Sequence, residues 1–151
     1  MQKGILERVA VDLLSIPPLL FREIRRKLIK AALAHIDVDI TPLHFEIMSL
    51  LKETGTLHVA QIGDRLYIAQ AQMTHLIDKL VDLNIVERKM DIADRRTINI
   101  TLTGHGRAFL EEHKNRLVST TMETMSRLTD EELEDLANTL RKLRDILSKL
   151  Q

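Results

Sequence analysis

The chain has 151 residues, with 22 basic and 22 acidic side chains, 44% hydrophobic but only 3% aromatic content, and no cysteine. Those values exclude disulfides, thiolate metal ligands, a cysteine redox switch and attraction to phosphate through a basic total; they fit one domain, or one domain with an oligomerisation appendage, packed by Leu and Ile and mainly helical. Apolar runs fall short of the ~18 residues of a membrane span, and the N-terminus has acids within its apolar run and no small-residue cleavage site, so a cytoplasmic protein without membrane contact is expected.

Residues 5–36 read as two helical pieces broken or sharply kinked at Ser15-Ile16-Pro17-Pro18, because proline is tolerated in a first helical turn and not inside. After the break, Leu20, Ile24, Leu28 and Ala31 or Ala32 make an apolar stripe. Opposite lies a basic set, Arg22, Arg25, Arg26, Lys27 and Lys30, read either as a solvated face or as a phosphate- or partner-facing patch. Residues 35–40 are a connector. Thr41-Pro42 then starts a helix, with Thr41 as N-cap, Pro42 at the first helical position and Ile40 and Phe45 at staple positions. Gly55 is its natural stop.

Residues 57–106 organise the rest. Val59, Ile62 and Leu66 stand at helical spacing. A second helix from about Ala69 to Leu83 carries the stripe Met73, Leu76, Ile77, Leu80 and Leu83, with Gln70, Thr74, His75, Asp78, Lys79 and Asp82 opposite. So short a joint, about residues 67–69, suits a helix-turn-helix whose second helix can enter a DNA major groove. Ile85-Val86-Glu87-Arg88 follows, then a charged tip, then a run in which Ile98, Ile100 and Leu102 alternate with Thr97, Asn99 and Thr101, a half-buried strand. A helix-turn-helix followed by a hairpin with a basic tip is a winged helix. Between Ala69 and Arg96 five bases face five acids, with the bases bunched at the wing.

Thr103 can cap a long helix from Gly104 to about Arg127. The clearest helix start is Leu128-Thr129-Asp130-Glu131-Glu132-Leu133. There Thr129 is N-cap, Glu132 its capping-box partner, Leu128 and Leu133 the staple, and the acids complement the helix dipole. The last helix bears Leu136, Leu140, Leu143, Ile146, Leu147 and Leu150. A leucine stripe this wide needs either its own core or a second copy.

In residues 57–106 the chain resembles the MarR family of transcription regulators (the multiple-antibiotic-resistance regulators). The resemblance rests on L-x-V-x-x-I-x-x-x-L-x-I from Leu57, M-T-x-L-I-D-K-L from Met73, I-V-E-R from Ile85, D-x-A-D-R-R at Asp91 to Arg96, and L-T-x-x-G at Leu102 to Gly106, all in order. It implies a mainly α fold with a small β-hairpin wing. Residues 41–103 would be the winged helix-turn-helix, and residues 5–36 and 104–150 the dimerisation helices of one domain spanning 1–151. It also implies a homodimeric regulator, expected to be a repressor, on a pseudo-palindromic double-stranded operator. A small anionic or aromatic effector would release it; no ligand residues are assigned.

On the second helix, Gln70, Gln72, Thr74, His75 and Lys79 are the candidate base contacts. Gln can pair with adenine through two hydrogen bonds, Thr can touch a thymine methyl, and Lys can reach guanine or phosphate. The resemblance puts an arginine of Arg95-Arg96 in the minor groove, with Asp94 orienting it. Arg88 and Lys89 are candidate phosphate contacts.

The chain also departs from the family pattern. Ala69 and His58 stand where a Ser or Thr commonly caps a helix, at a cost of roughly 0.5–2 kcal/mol for each good cap lost. Tyr67 and Asn84 stand where glycine is common, and Asn tolerates a left-handed backbone better than Tyr. Zero net charge and the missing caps motivate an alternative, a winged-helix protein-interaction dimer with weak or no DNA binding. His35, His44, His58, His75, His105 and His113 show no metal-ligand spacing. His105 and His113 would lie roughly 12 Å apart along a helix, too far to share an ion. No metal, no cofactor and no enzymatic frame is expected.

Overall fold

The computed structural model describes residues 1–33 and 40–150, and within the first helix the side chains of residues 1–20 and 22. Two units make up the chain, residues 36–115 and residues 1–35 with 116–151.

The middle unit begins with α2 (Pro42–Thr54), preceded in the chain by α1 (Gln2–Leu33). Thr41 is its N-cap and Pro42 its first residue. His44, unforeseen in this role, closes the cap, because its Nδ1 accepts the Thr41 N–H at 2.9 Å. Gly55 ends the helix with φ +81° and gives its N–H to the Leu51 carbonyl at 2.9 Å. A two-residue strand follows, β1 (Leu57–His58), then α3 (Val59–Leu66), α4 (Gln70–Asp82), β2 (Val86–Met90), β3 (Ile98–Leu102) and α5 (Gly104–Met125). β3 is the middle strand of an antiparallel sheet ordered β1-β3-β2. Leu57 pairs with Ile100 and Val86 with Leu102. The alternation in β3 points Ile100 and Leu102 inward, where they join Ile47, Met48, Leu51, Ile62, Met73, Ile77, Leu80 and Ile85 in one core. The expected mainly α winged helix with its small wing is the fold observed. β1 was not foreseen, since two residues are too few to show a strand period.

Two left-handed residues shape this unit. Tyr67 ends α3 at φ 55° and Asn84 follows α4 at φ 56°. The L-T-x-x-G run closes it at α5. The Thr103 hydroxyl accepts the Gly106 N–H at 2.9 Å, capping the helix, and reaches the Asn84 carbonyl at 2.6 Å. A Cβ on Gly106 would lie 2.0 Å from the Ile85 carbonyl oxygen, so α5 can approach β2 this closely only with glycine there. Phe45 stacks on the His113 ring at 3.5 Å between centroids and on Phe109 at 6.1 Å, joining α2 to α5.

In the terminal unit α1 is one helix, so the double proline, expected to break or sharply kink it, does not break it. Pro17 and Pro18 lack the N–H groups that would bond the carbonyls of residues 13 and 14. The helix nevertheless runs on through both prolines, and Leu13 and Leu14 are exposed. The stripe expected at Ile24 and Leu28 and the basic set Arg25, Arg26, Lys27 and Lys30 lie outside the described side chains, and the connector lies outside the described residues up to residue 39. The last helix, α6 (Asp130–Leu147), ends in a short 3-10 turn. Its cap is the one expected. Glu132 N–H donates to the Thr129 hydroxyl at 3.2 Å and Thr129 N–H to Glu132 Oε2 at 2.8 Å. No residue of α6 is buried, and its apolar residues from Leu136 to Leu150 stand exposed, as do nine along α1 from Ile5 to Leu20. Among the described residues no helix is long and apolar enough to cross a membrane.

Candidate nucleic-acid interface

The amphipathic period of α4 decides what it shows to solvent. Met73, Leu76, Ile77 and Leu80 are buried, so Gln70, Gln72, Thr74 and His75 are exposed at its N-terminal end and Lys79 is half-buried. Ala69 gives the N-terminus no side-chain cap. The Gln72 and Met73 N–H groups bond the Ala69 carbonyl at 3.0 Å, which leaves the amides of Gln70 and Ala71 without a side-chain cap.

The wing is held from inside by Asp91. Its Oδ1 accepts the N–H of Ala93 at 2.8 Å and of Asp94 at 3.3 Å, and its Oδ2 accepts from the Asn99 amide at 3.3 Å. Those bonds, the Ala93 one foremost, hold its carboxyl below the usual aspartate range. A second aspartate repeats the device. Asp94 Oδ1 accepts from the Arg96 backbone N–H at 3.1 Å and from Arg96 Nε at 3.3 Å. The Arg96 side chain is nevertheless 93% exposed.

Besides Arg96, two more of the expected cations are engaged within the protein. Arg88 bonds Asp78, which ties β2 to α4, and Lys89 pairs with Glu87 at 3.0 Å. Exposed pairs of this kind contribute about 0–1 kcal/mol each and yield readily to a stronger anion.

Of the expected residues, Gln70 and Thr74 from α4 and Arg88 and Arg96 from the wing line one open cleft of about 440 Å³ between helix and hairpin. Gln72, His75, Lys79, Lys89 and Arg95 are not part of its lining. His58, Thr97 and Ile98 also line it, and no sequence pattern had marked them as site residues. The role of Asp91 was open to discovery, since an aspartate two residues before a turn amide is an Asx-turn signal. That of Asn99 needed the strand register, which sets Asn99 opposite His58 and Lys89. Among the described residues no three His, Asp or Glu side chains converge as a metal cluster; His35 lies outside them.

Residues 40–98 match the family model described as MarR family. The transcriptional repressor MdtR of Bacillus subtilis is 30% identical over 104 residues, 69% of this chain and 67% of its own. Among solved structures, the YusO protein of Bacillus subtilis superposes with a TM-score of 0.73 at 25% identity, covering 92% of this chain and 96% of its own. BpsR of Bordetella bronchiseptica, whose DNA binding is regulated by 6-hydroxynicotinic acid, superposes at 0.59 with 27% identity, covering 87% and 94%.

Proposed function

The chain belongs to the MarR family of DNA-binding transcription regulators and is no enzyme, and from that premise we propose that it is a homodimeric repressor of a pseudo-palindromic operator, released by a small anionic or aromatic molecule. The observation that carries the reading is the pairing on one lobe of an α4 end exposing Gln70, Gln72, Thr74 and His75 with a wing tip exposing Arg95 and Arg96. In this reading α4 lies in a major groove and reads base edges, with Lys79 reaching guanine or phosphate. Arg95 and Arg96 enter the adjacent minor groove, where A·T-rich sequence concentrates negative potential. Asp94 holds Arg96 in place for that entry. Arg88 and Lys89 exchange their carboxylate partners for phosphates, setting register without reading sequence.

The uncovered apolar faces of α1 and α6 support the dimer, because an isolated chain leaves them in water. Repression is supported by the MdtR likeness and control by a small aromatic acid by the BpsR likeness. Selection of bound fragments from genomic DNA, followed by footprinting, tests the whole. The expected result is protection of two inverted half-sites about 34 Å apart along the duplex. Binding should fall by about one to two orders of magnitude in the Arg95→Ala, Arg96→Ala double variant, the range of roughly 1–3 kcal/mol for a lost specific arginine contact. Parental affinity in that variant would remove the wing from the interface and favour an interaction module in its place.

A further inference from the structure

Few large apolar side chains of the middle unit meet water. Among its described residues those exposed are Tyr67 and three of the wing, Met90, Ile92 and Ile98. Met90 and Ile98 are register partners at the outer end of the β2–β3 ladder. They share the face of Val86, Ile100 and Leu102 but lie beyond the core that those residues join. Ile92 follows at the tip and is fully exposed. An apolar cluster left in water at the point of a projection marks a contact surface.

The tip that carries Ile92 is tied down. The Asp91 carboxylate accepts the N–H groups of Ala93 and Asp94, and the Asp91 N–H donates to the Thr97 carbonyl at 2.9 Å. Branching at Cβ restricts the isoleucine side chain itself, so little freedom remains to be lost on insertion. Charge decides what such a tip meets. Arg95 and Arg96 stand exposed on it. Its two acids are occupied, Asp91 by three hydrogen bonds and Asp94 by Arg96. A cationic tip with an apolar point matches a groove walled by phosphates and floored by bases.

We propose that Ile92 is a wedge that enters a base step from the minor groove, parts the stack there and kinks the duplex, with Met90 and Ile98 against the sugars beside it. The inference rests on the wing docking proposed above and adds which flanking sequence the wing selects. Burial of the isoleucine offsets the unstacking, and unstacking is easiest at pyrimidine–purine steps. Flanks of equal A·T content then differ. A stiff A-tract offers the arginines a narrow, negative groove but resists a wedge. A T-A-T-A flank offers A·T pairs together with a step that opens. The wing therefore reads the flexibility of the flank as well as its potential.

The test is titration of the footprinted genomic fragment, rebuilt with either T-A-T-A or A-A-A-A in the flank that the wing protects. Fluorophores at its two ends report bending by energy transfer, and 2-aminopurine in place of an adenine of the flank reports unstacking. The parent should prefer the T-A-T-A flank by about tenfold. It should bend that duplex by about 20–90° and brighten the 2-aminopurine. Ile92→Ser should lose the preference, the bend and the brightening, yet keep the parental melting temperature, because Ile92 stands outside the core. Ile92→Leu should retain all three. Ile92→Lys should bind both flanks at least as tightly as Ile92→Ser and brighten neither, which separates wedging from charge. Equal parental affinity for the two flanks, no brightening on binding, or a preference that survives Ile92→Ser overturns the inference alone. Parental affinity in the Arg95→Ala, Arg96→Ala double variant overturns the docking reading with it.

Discussion

Ile47, Met48, Leu51, Ile62, Met73 and Ile77 of the middle unit are shut off from water, whereas in the terminal unit Leu140 and Leu147 of α6 are 49% and 38% exposed. The two regions have similar apolar content in sequence, yet only the first finds cover within its own chain. In the middle unit apolar stripes from α2, α3, α4 and the sheet meet at one point, each hiding the others. In α6 the stripe is wide and regular, and no residue on it is buried. A helix can thus form for purely local reasons, a strong capping box and well-placed acids, while its burial is left to another molecule. The middle unit encloses its own core; among the described side chains the terminal helices leave their apolar faces uncovered.

The sharpest way to break that comparison is to place charges in both regions. Leu140→Glu with Leu147→Glu should halve the mass seen by light scattering, since each would otherwise bury an unpaired carboxylate, at several kcal/mol. The methyl signals of the middle unit should persist in the NMR spectrum of that variant. Ile77→Glu, by contrast, should abolish them. If the middle unit melts together with the helices in the leucine variant, the two regions are not energetically separate.

Gly106→Ala comes next in size and acts on the middle unit alone. The new methyl group meets the Ile85 carbonyl oxygen and carbon at 2.0 and 2.9 Å, and both are backbone atoms that cannot swing aside. Overpacking of this kind costs about 1–3 kcal/mol or more. The melting temperature should drop while the oligomeric mass at low temperature stays that of the parent.

A third change should raise stability. Tyr67 is 97% exposed and held at φ 55°, so its side chain contributes little while its backbone is strained. Tyr67→Gly should gain up to about 1 kcal/mol, the relief of strain less the extra chain entropy of glycine. Chemical denaturation should show a higher midpoint with an unchanged slope. A lower midpoint would mean that the ring has a partner in the assembled protein.

How far the sequence speaks for the structure follows the same division. Local signals were readable because they depend on near neighbours. Thr129 and Glu132 announced their capping box. Tyr67 and Asn84 read only as departures from the family's glycines, and the structure shows both keep the left-handed backbone. The alternation in β3 revealed the buried face at Ile100 and Leu102, but Ile98, expected on the same face, stands exposed at the end of the strand towards the wing tip, beyond the core. What stayed hidden depends on distant residues or on solvent. β1 exists because β3 offers it an edge, and His44 completes a cap through a ring nitrogen. Arg88 reads as a free cation until α4 brings Asp78 beside it. The continuous α1 shows that a proline pair is a cost that a long helix can absorb.

The smallest expected effect concerns Asp91 and returns to the wing, the part of the middle unit that projects beyond the core. Asp91 is half-buried at the edge of the wing, away from the core, so the bonds it accepts order the tip and contribute little to global stability. Hydrogen bonds from Ala93, Asn99 and Asp94 lower its pKa, in that order of size. A carboxylate with a depressed folded-state pKa contributes fully above the ordinary aspartate value. Its contribution is lost as pH falls through the lower folded value. From pH 7 down to the ordinary aspartate range, the amide signals of Ala93 and Asp94 should therefore hold their positions. Below it they should move together as the proton arrives, with the core signals unaffected. Asp91→Asn should produce the low-pH positions already at pH 7, because a neutral amide oxygen is a weaker acceptor than a carboxylate. If the Asn variant keeps the parental positions, the tip is held by its backbone turn alone, through the Asp91 N–H to Thr97 carbonyl and Thr97 N–H to Asp94 carbonyl bonds, both 2.9 Å.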